Sequence, residues 1–148
     1  MSFELRNHTA DVAVEATAPD LSTLFGSVAD GLAAASCEEI PDDGGSEFEV
    51  TVAAENREAL LFDYLDQLIY ERDVRDVLPV DNQVEVDPPE AENDDGTEET
   101  ESQWKLAGTA RGIPLSAVDA REVKAVTYSE MRIRETDSGW DAYVVFDV

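Results

Sequence analysis

Val123-Lys124-Ala125-Val126-Thr127-Tyr128, running on through Met131-Arg132-Ile133-Arg134 to Asp137-Ser138-Gly139 and out again along Trp140-Asp141-Ala142-Tyr143-Val144-Val145-Phe146-Asp147-Val148, decides the fold. Val123, Ala125, Met131 and Ile133 alternate with Lys124, Tyr128, Arg132 and Arg134, the two-residue period of a half-buried strand. Asp137-Ser138-Gly139 supplies turn chemistry. Trp140, Ala142, Val144, Phe146 and Val148 then resume the alternation. Two such runs around a short polar turn predict a β-hairpin, and therefore antiparallel sheet.

Working outward, Phe3–Arg6 and Asp11–Thr17 read as short strands, the second with Val12, Val14 and Ala16 on one face. Pro19-Asp20 opens a helix with Asp20 as N-cap, and Leu21, Leu24, Phe25, Val28 and Leu32 form its apolar stripe. Pro41 to Gly45 is a turn cluster, followed by a strand in which Phe48, Val50, Val52 and Ala54 alternate with polar residues. Asn56 caps a second helix over Arg57–Asp73, whose stripe is Leu61, Tyr64, Leu65 and Leu68, broadened by Leu60 and Ile69. Two or three strands follow, around Val77–Val86 and Trp104–Arg111. Between them Asp87–Glu101 carries eight acids, two prolines and no basic residue, so it has no apolar face to bury and reads as a solvated loop. The expectation is a single domain over residues 1–148, of α+β class, with a mainly antiparallel sheet and two amphipathic helices.

Composition narrows the function. A chain of 148 residues has room for one ordinary core. Its one cysteine, Cys37, excludes an intrachain disulfide and suits a reducing, cytoplasmic setting, where Cys37 reads as a small buried hydrophobe. The start, Met1-Ser2-Phe3-Glu4, has neither a basic nor an apolar leader, and no run approaches a membrane span. Asp and Glu total 35 against 10 Lys and Arg, a net charge of -25. Such a surface repels itself unless salt screens it, and with only Lys105 and Lys124 as lysines it fits a halophilic, high-salt interior. With no basic stripe to grip phosphates, tight direct nucleic-acid binding is not expected; a partner with a basic face is.

Familiar catalytic patterns are missing: the chain has no phosphate-cradling glycine loop, CxxC, HExxH or GxSxG. Carboxylates, the lone His8 and a few cations remain, and hard oxygen donors favour Ca²⁺, Mg²⁺ or Mn²⁺ over zinc. Two places gather such donors. Asn7-His8-Thr9-Ala10-Asp11 lies between two strands, where a turn can present Asp11 and His8 together, and Asp147-Val148 ends a strand with the terminal carboxylate beside the Asp147 side chain. On composition alone the favoured reading is surface acids among the 35. Asp63 and Asp66 form a weaker pair that a solvated helix face explains.

Four blocks go further. His8-Thr9-Ala10-Asp11-Val12, Leu60-Leu61-Phe62-Asp63-Tyr64-Leu65 with Leu68-Ile69-Tyr70, Val123-Lys124-Ala125-Val126-Thr127-Tyr128, and Phe146-Asp147-Val148 resemble, in order and spacing, the archease family. The acidic segment 87–101 is not part of that pattern. Ser129 stands where family members often carry a histidine, so no role passes to it. The resemblance implies an accessory protein, not an enzyme, that activates an RtcB-type RNA ligase in tRNA splicing by promoting guanylylation and multiple turnover. It further implies a divalent cation, calcium first, held by Asp11, Asp147 and Val148, with His8 and Lys124 as candidate partner contacts. Two other classes stay open: a metal-dependent hydrolase in which His8 is the acid or base, and a general chaperone of protein–nucleic-acid complexes.

Overall fold

A computed structural model describes residues 2–7, 11–89 and 103–148. In chain order these form β1 (Ser2–Asn7), β2 (Asp11–Ala18), α1 (Leu21–Ser36), β3 (Ser46–Ala54), α2 (Arg57–Arg75), β4 (Val77–Asp87), β5 (Trp104–Pro114), a 3-10 turn (Leu115–Ala117), β6 (Ala125–Thr136) and β7 (Gly139–Asp147). The α+β class expected from alternation and stripe is the class found, with every strand pairing antiparallel. The strands divide into two sheets, β1-β2-β7-β6 and β3-β5-β4.

Local chemistry sets the boundaries. The Thr23 amide donates to Asp20 Oδ1 at 2.8 Å and the Ala59 amide to Asn56 Oδ1 at 2.8 Å, so both expected N-caps close their helices. The second helix runs past Asp73 to Arg75 and stops at Asp76, which adopts a left-handed conformation at φ 58. Both helices pack against both sheets. Leu24, Phe25 and Val28 from α1 and Leu60, Leu61, Tyr64, Leu65 and Leu68 from α2 therefore share one core with Val14, Val144 and Phe146 of the first sheet and Phe48, Val50 and Leu106 of the second. The first helix comes unusually near β2, because a Cβ on Gly31 would lie 2.6 Å from Val14 Cγ1. Cys37 is buried in a second, smaller cluster with Leu78, Val80 and Ile113, as a small hydrophobe would be.

Some expectations change. Leu21 is only partly buried. The first strand of the terminal hairpin starts at Ala125, so Lys124 precedes it, and Val126 rather than Ala125 faces the core. Ile133 is buried as well, an odd number of positions from Val126, because β6 bulges: its register passes from Thr127↔Val145 directly to Arg132↔Tyr143. The extra residues invert which side chains face inward. The turn itself is Asp137-Ser138, with Gly139 opening β7 at φ 147. At its start the acidic segment also yields a residue to the sheet, since Asp87 ends β4 opposite Lys105; residues 90–101 of it lie outside the described residues.

Candidate functional site

β2 and β7 are neighbours in the four-stranded sheet, which brings the first and last blocks of the sequence together. Their register sets Asp11 directly opposite Asp147, and Asp147 in turn opposite Ala125 of β6. Residues directly opposite in an antiparallel pair project to one face with Cβ atoms about 4.5–5.5 Å apart. Val12, Val14, Val144 and Phe146 point into the core, so the alternation sends Asp11 and Asp147 to the outer face. One oxygen of Asp11, Oδ1, is shut off from solvent, whereas Asp147 is exposed.

The neighbouring segment is tied to this pair. The Lys124 amide donates to the Asp147 carbonyl at 2.8 Å, while the Lys124 side chain is exposed. One residue earlier, the Val123 carbonyl accepts a hydrogen bond of 2.7 Å from Nη1 of Arg72, a nearly buried arginine on α2. Arg72 also reaches Asp73 Oδ1 through Nε at 3.0 Å. Arg72 thus fixes the path by which Lys124 and Ala125 arrive beside Asp147. The sequence carried a signal for it: Arg72 continues the Leu61, Leu65, Leu68 stripe, where a charged residue must find a partner if the stripe faces the core.

Of the candidate residues, the fold therefore gathers Asp11, Asp147, Val148 and the Lys124 backbone at one end of the sheet. Val148 follows β7 and is half-buried. His8 lies outside the described residues. Asp63 and Asp66 sit on the exposed face of α2, and burial followed by the charge of Asp66 raises the Asp63 pKa from its ordinary 3.8. Among the described residues no group of three or more His, Cys, Asp and Glu side chains has the spacing of a metal site. Two carboxylates and main-chain oxygen at Val148 nonetheless make an all-oxygen donor set, which suits a hard divalent cation that keeps water in its remaining positions.

The comparisons with known proteins agree with one another. Residues 3–148 match the family described as the Archease protein family. The curated protein archease of Methanosarcina mazei is 30% identical over 149 residues, covering 99% of this chain and 95% of that protein. That of Archaeoglobus fulgidus is 31% identical over 153 residues and covers 100% of both. The solution structure of Methanobacterium thermoautotrophicum protein 1598 superposes with a TM-score of 0.75 at 28% identity, covering 99% of this chain and 98% of that one. A crystal structure of an archease, possible chaperone, from Thermotoga maritima shares the fold with a TM-score of 0.59 at 19% identity, covering 95% and 93%. This chain belongs to the archease family.

Proposed function

We propose that this chain is a metal-binding accessory protein of an RtcB-type RNA ligase in tRNA splicing, promoting guanylylation and repeated turnover of the ligase and not acting as an enzyme itself. The observation that carries the reading is the register of Asp11 against Asp147 at the end of a sheet, with Lys124 tethered to the same strand end by its own amide. Like charges placed directly opposite one another weaken a strand pair. A site that accepts this cost is suited to a cation, and the donors proposed are Asp11, Asp147 and main-chain oxygen at Val148. Calcium fits the oxygen donor set best, with magnesium or manganese as alternatives. When bound, the cation would supply positive charge on an otherwise strongly acidic surface.

The residues around the pair supply the rest. Arg72, through Val123, holds the backbone that leads to Lys124, and the exposed Lys124 is proposed as a partner contact. His8 is proposed as a second contact. The net charge of -25 favours a basic protein surface over RNA as the thing bound. Activation requires that the bound protein favour one state of the ligase over another, because equal affinity for both shifts nothing. No helix of the described residues is long and apolar enough to cross a membrane.

The test is to measure guanylylation and turnover of the cognate ligase with GTP and divalent metal in high salt, with and without this protein. Single-turnover joining is expected to become repeated turnover. If the protein binds the ligase yet changes neither quantity, the activator reading is wrong. The general-chaperone reading would then lead, and suppression of aggregation in the absence of any ligase would test it.

A further inference from the structure

A second feature grows from the bulge of β6. This is an edge strand, and between Thr127 and Arg132 it runs five positions while β7 advances only from Val145 to Tyr143. Within the surplus, Glu130 takes φ 67, a left-handed conformation that residues other than glycine adopt at a cost. Simple alternation from Val126 would send Tyr128 into the core. Instead Tyr128 is 49% exposed, its ring lying against Phe62 of α2 with centroids 5.0 Å apart and planes 16° from parallel. Phe62, partly buried on the helix, backs the Tyr128 ring that the bulge lifts outward, and the exposed Tyr128 ring forms a flat shelf on the surface.

The rim of the shelf is acidic. Burial, then the charges of Glu58, Asp63 and Glu55, raise the Tyr128 phenol above its ordinary 10.0. Arg57, the cation among these acids in sequence, is engaged elsewhere, with its guanidinium 5.0 Å from the Trp140 ring centroid. The same pairing recurs within the fold: Arg75 lies 4.6 Å over Phe48 and Arg132 lies 5.4 Å over Tyr143. Tyr128 turns a ring of that kind outward.

We propose that the Phe62–Tyr128 shelf docks an arginine of a basic protein surface, with Glu55, Glu58 and Asp63 receiving its N–H groups. A guanidinium is planar and weakly hydrated, so it stacks on an aromatic face and donates sideways at once, which the compact ammonium of lysine does poorly. A nucleobase could also stack on the rings, but its phosphates would meet carboxylates rather than cations. The inference goes beyond the ligase reading, because it needs only a basic partner and no bound cation.

The test is an amide-resonance titration of the full chain at constant salt with an oligoarginine peptide, an oligolysine peptide of equal length, and oligouridine. Oligoarginine is expected to bind more tightly than oligolysine and to shift residues 55–63 and 126–131 most. Tyr128→Ala should weaken oligoarginine binding about two- to fivefold and abolish the preference over lysine. Tyr128→Phe should retain both, since the ring remains. The Asp42→Asn/Asp43→Asn double variant, which removes exposed acids elsewhere, should keep the preference; circular dichroism checks that each variant is folded. Equal binding of the two peptides with shifts spread over the whole acidic surface, an unchanged affinity in Tyr128→Ala, or oligouridine shifting the same residues would each overturn the proposal.

Discussion

Asp30 and Asp11 show two ways for this fold to hold an aspartate. Asp30, on α1, accepts at Oδ1 both the backbone N–H and the side-chain amide of Asn82, each at 3.0 Å. Asn82 is buried at the bulge of β4, beside Asp81 at φ 52, whose own carboxylate meets Arg111 at 2.6 Å. Asp30 is therefore a clamp between helix and strand, its acceptor used within the protein. Asp11 instead faces Asp147 across a strand pair, like charge against like. In a chain with 35 acids, burial alone does not mark a working carboxylate. The environment does: one aspartate ties a helix to a strand, whereas the other lies opposite a second carboxylate across two strands.

That contrast can be broken most sharply by truncation. Asp30→Ala leaves the Asn82 amide groups without their acceptor and is expected to cost about 2–4 kcal/mol in chemical denaturation. Asp11→Ala, in cation-free solution, should cost less than Asp30→Ala, because it also removes a carboxylate that faces Asp147 across the strand pair. Equal losses at the two positions would mean that the two aspartates support the fold alike.

Arg72→Met should fall between them. It removes the hydrogen bond to Val123 while keeping most of the side-chain volume, and should cost roughly 2 kcal/mol. Unlike Asp30→Ala, it should also loosen the segment beside Asp147, seen as faster hydrogen exchange of the Lys124 amide. If that amide exchanges at the parent rate, Arg72 does not hold the site end in place.

The smallest effect concerns pH. Burial, the largest influence, raises the Asp30 pKa above 3.8 against the pull of its Asn82 hydrogen bonds. Folded protein then binds a proton at Asp30 more readily than unfolded protein does, so stability contributed by that proton is present below 3.8 and is lost as pH rises through the folded pKa. Relative to Asp30→Asn, which does not titrate, the parent should gain stability as pH falls through this window. A difference between the two that stays flat with pH would mean that Asp30 titrates as it does in the unfolded chain.

The local half of this organisation was legible in the sequence, and the long-range half mostly was not. Alternation at Val12-Val14-Ala16 and at Ala142-Val144-Phe146 marks strands because each has one face in the core. Asp20 and Asn56 announce their helices because a short polar side chain can satisfy an amide at a helix start. Neither signal says that β2 pairs with β7, or that the strands split into two sheets, since pairing of distant strands leaves no local trace. Nothing local to either segment sets Asp11 opposite Asp147. The bulge at Tyr128 was hidden for a different reason: Ser129 and Glu130 carry no glycine or proline to flag a left-handed residue. Arg72 was readable in the helical stripe, but its partner, the Val123 carbonyl, was not.

Calorimetric titration of calcium into metal-free protein probes the Asp11–Asp147 pair, comparing the parent with Asp11→Ala and Asp147→Ala after circular dichroism has shown both variants folded. One site is expected in the parent and its loss in each variant, because the two carboxylates act as a pair across β2 and β7. Unchanged cation affinity in both variants would contradict it.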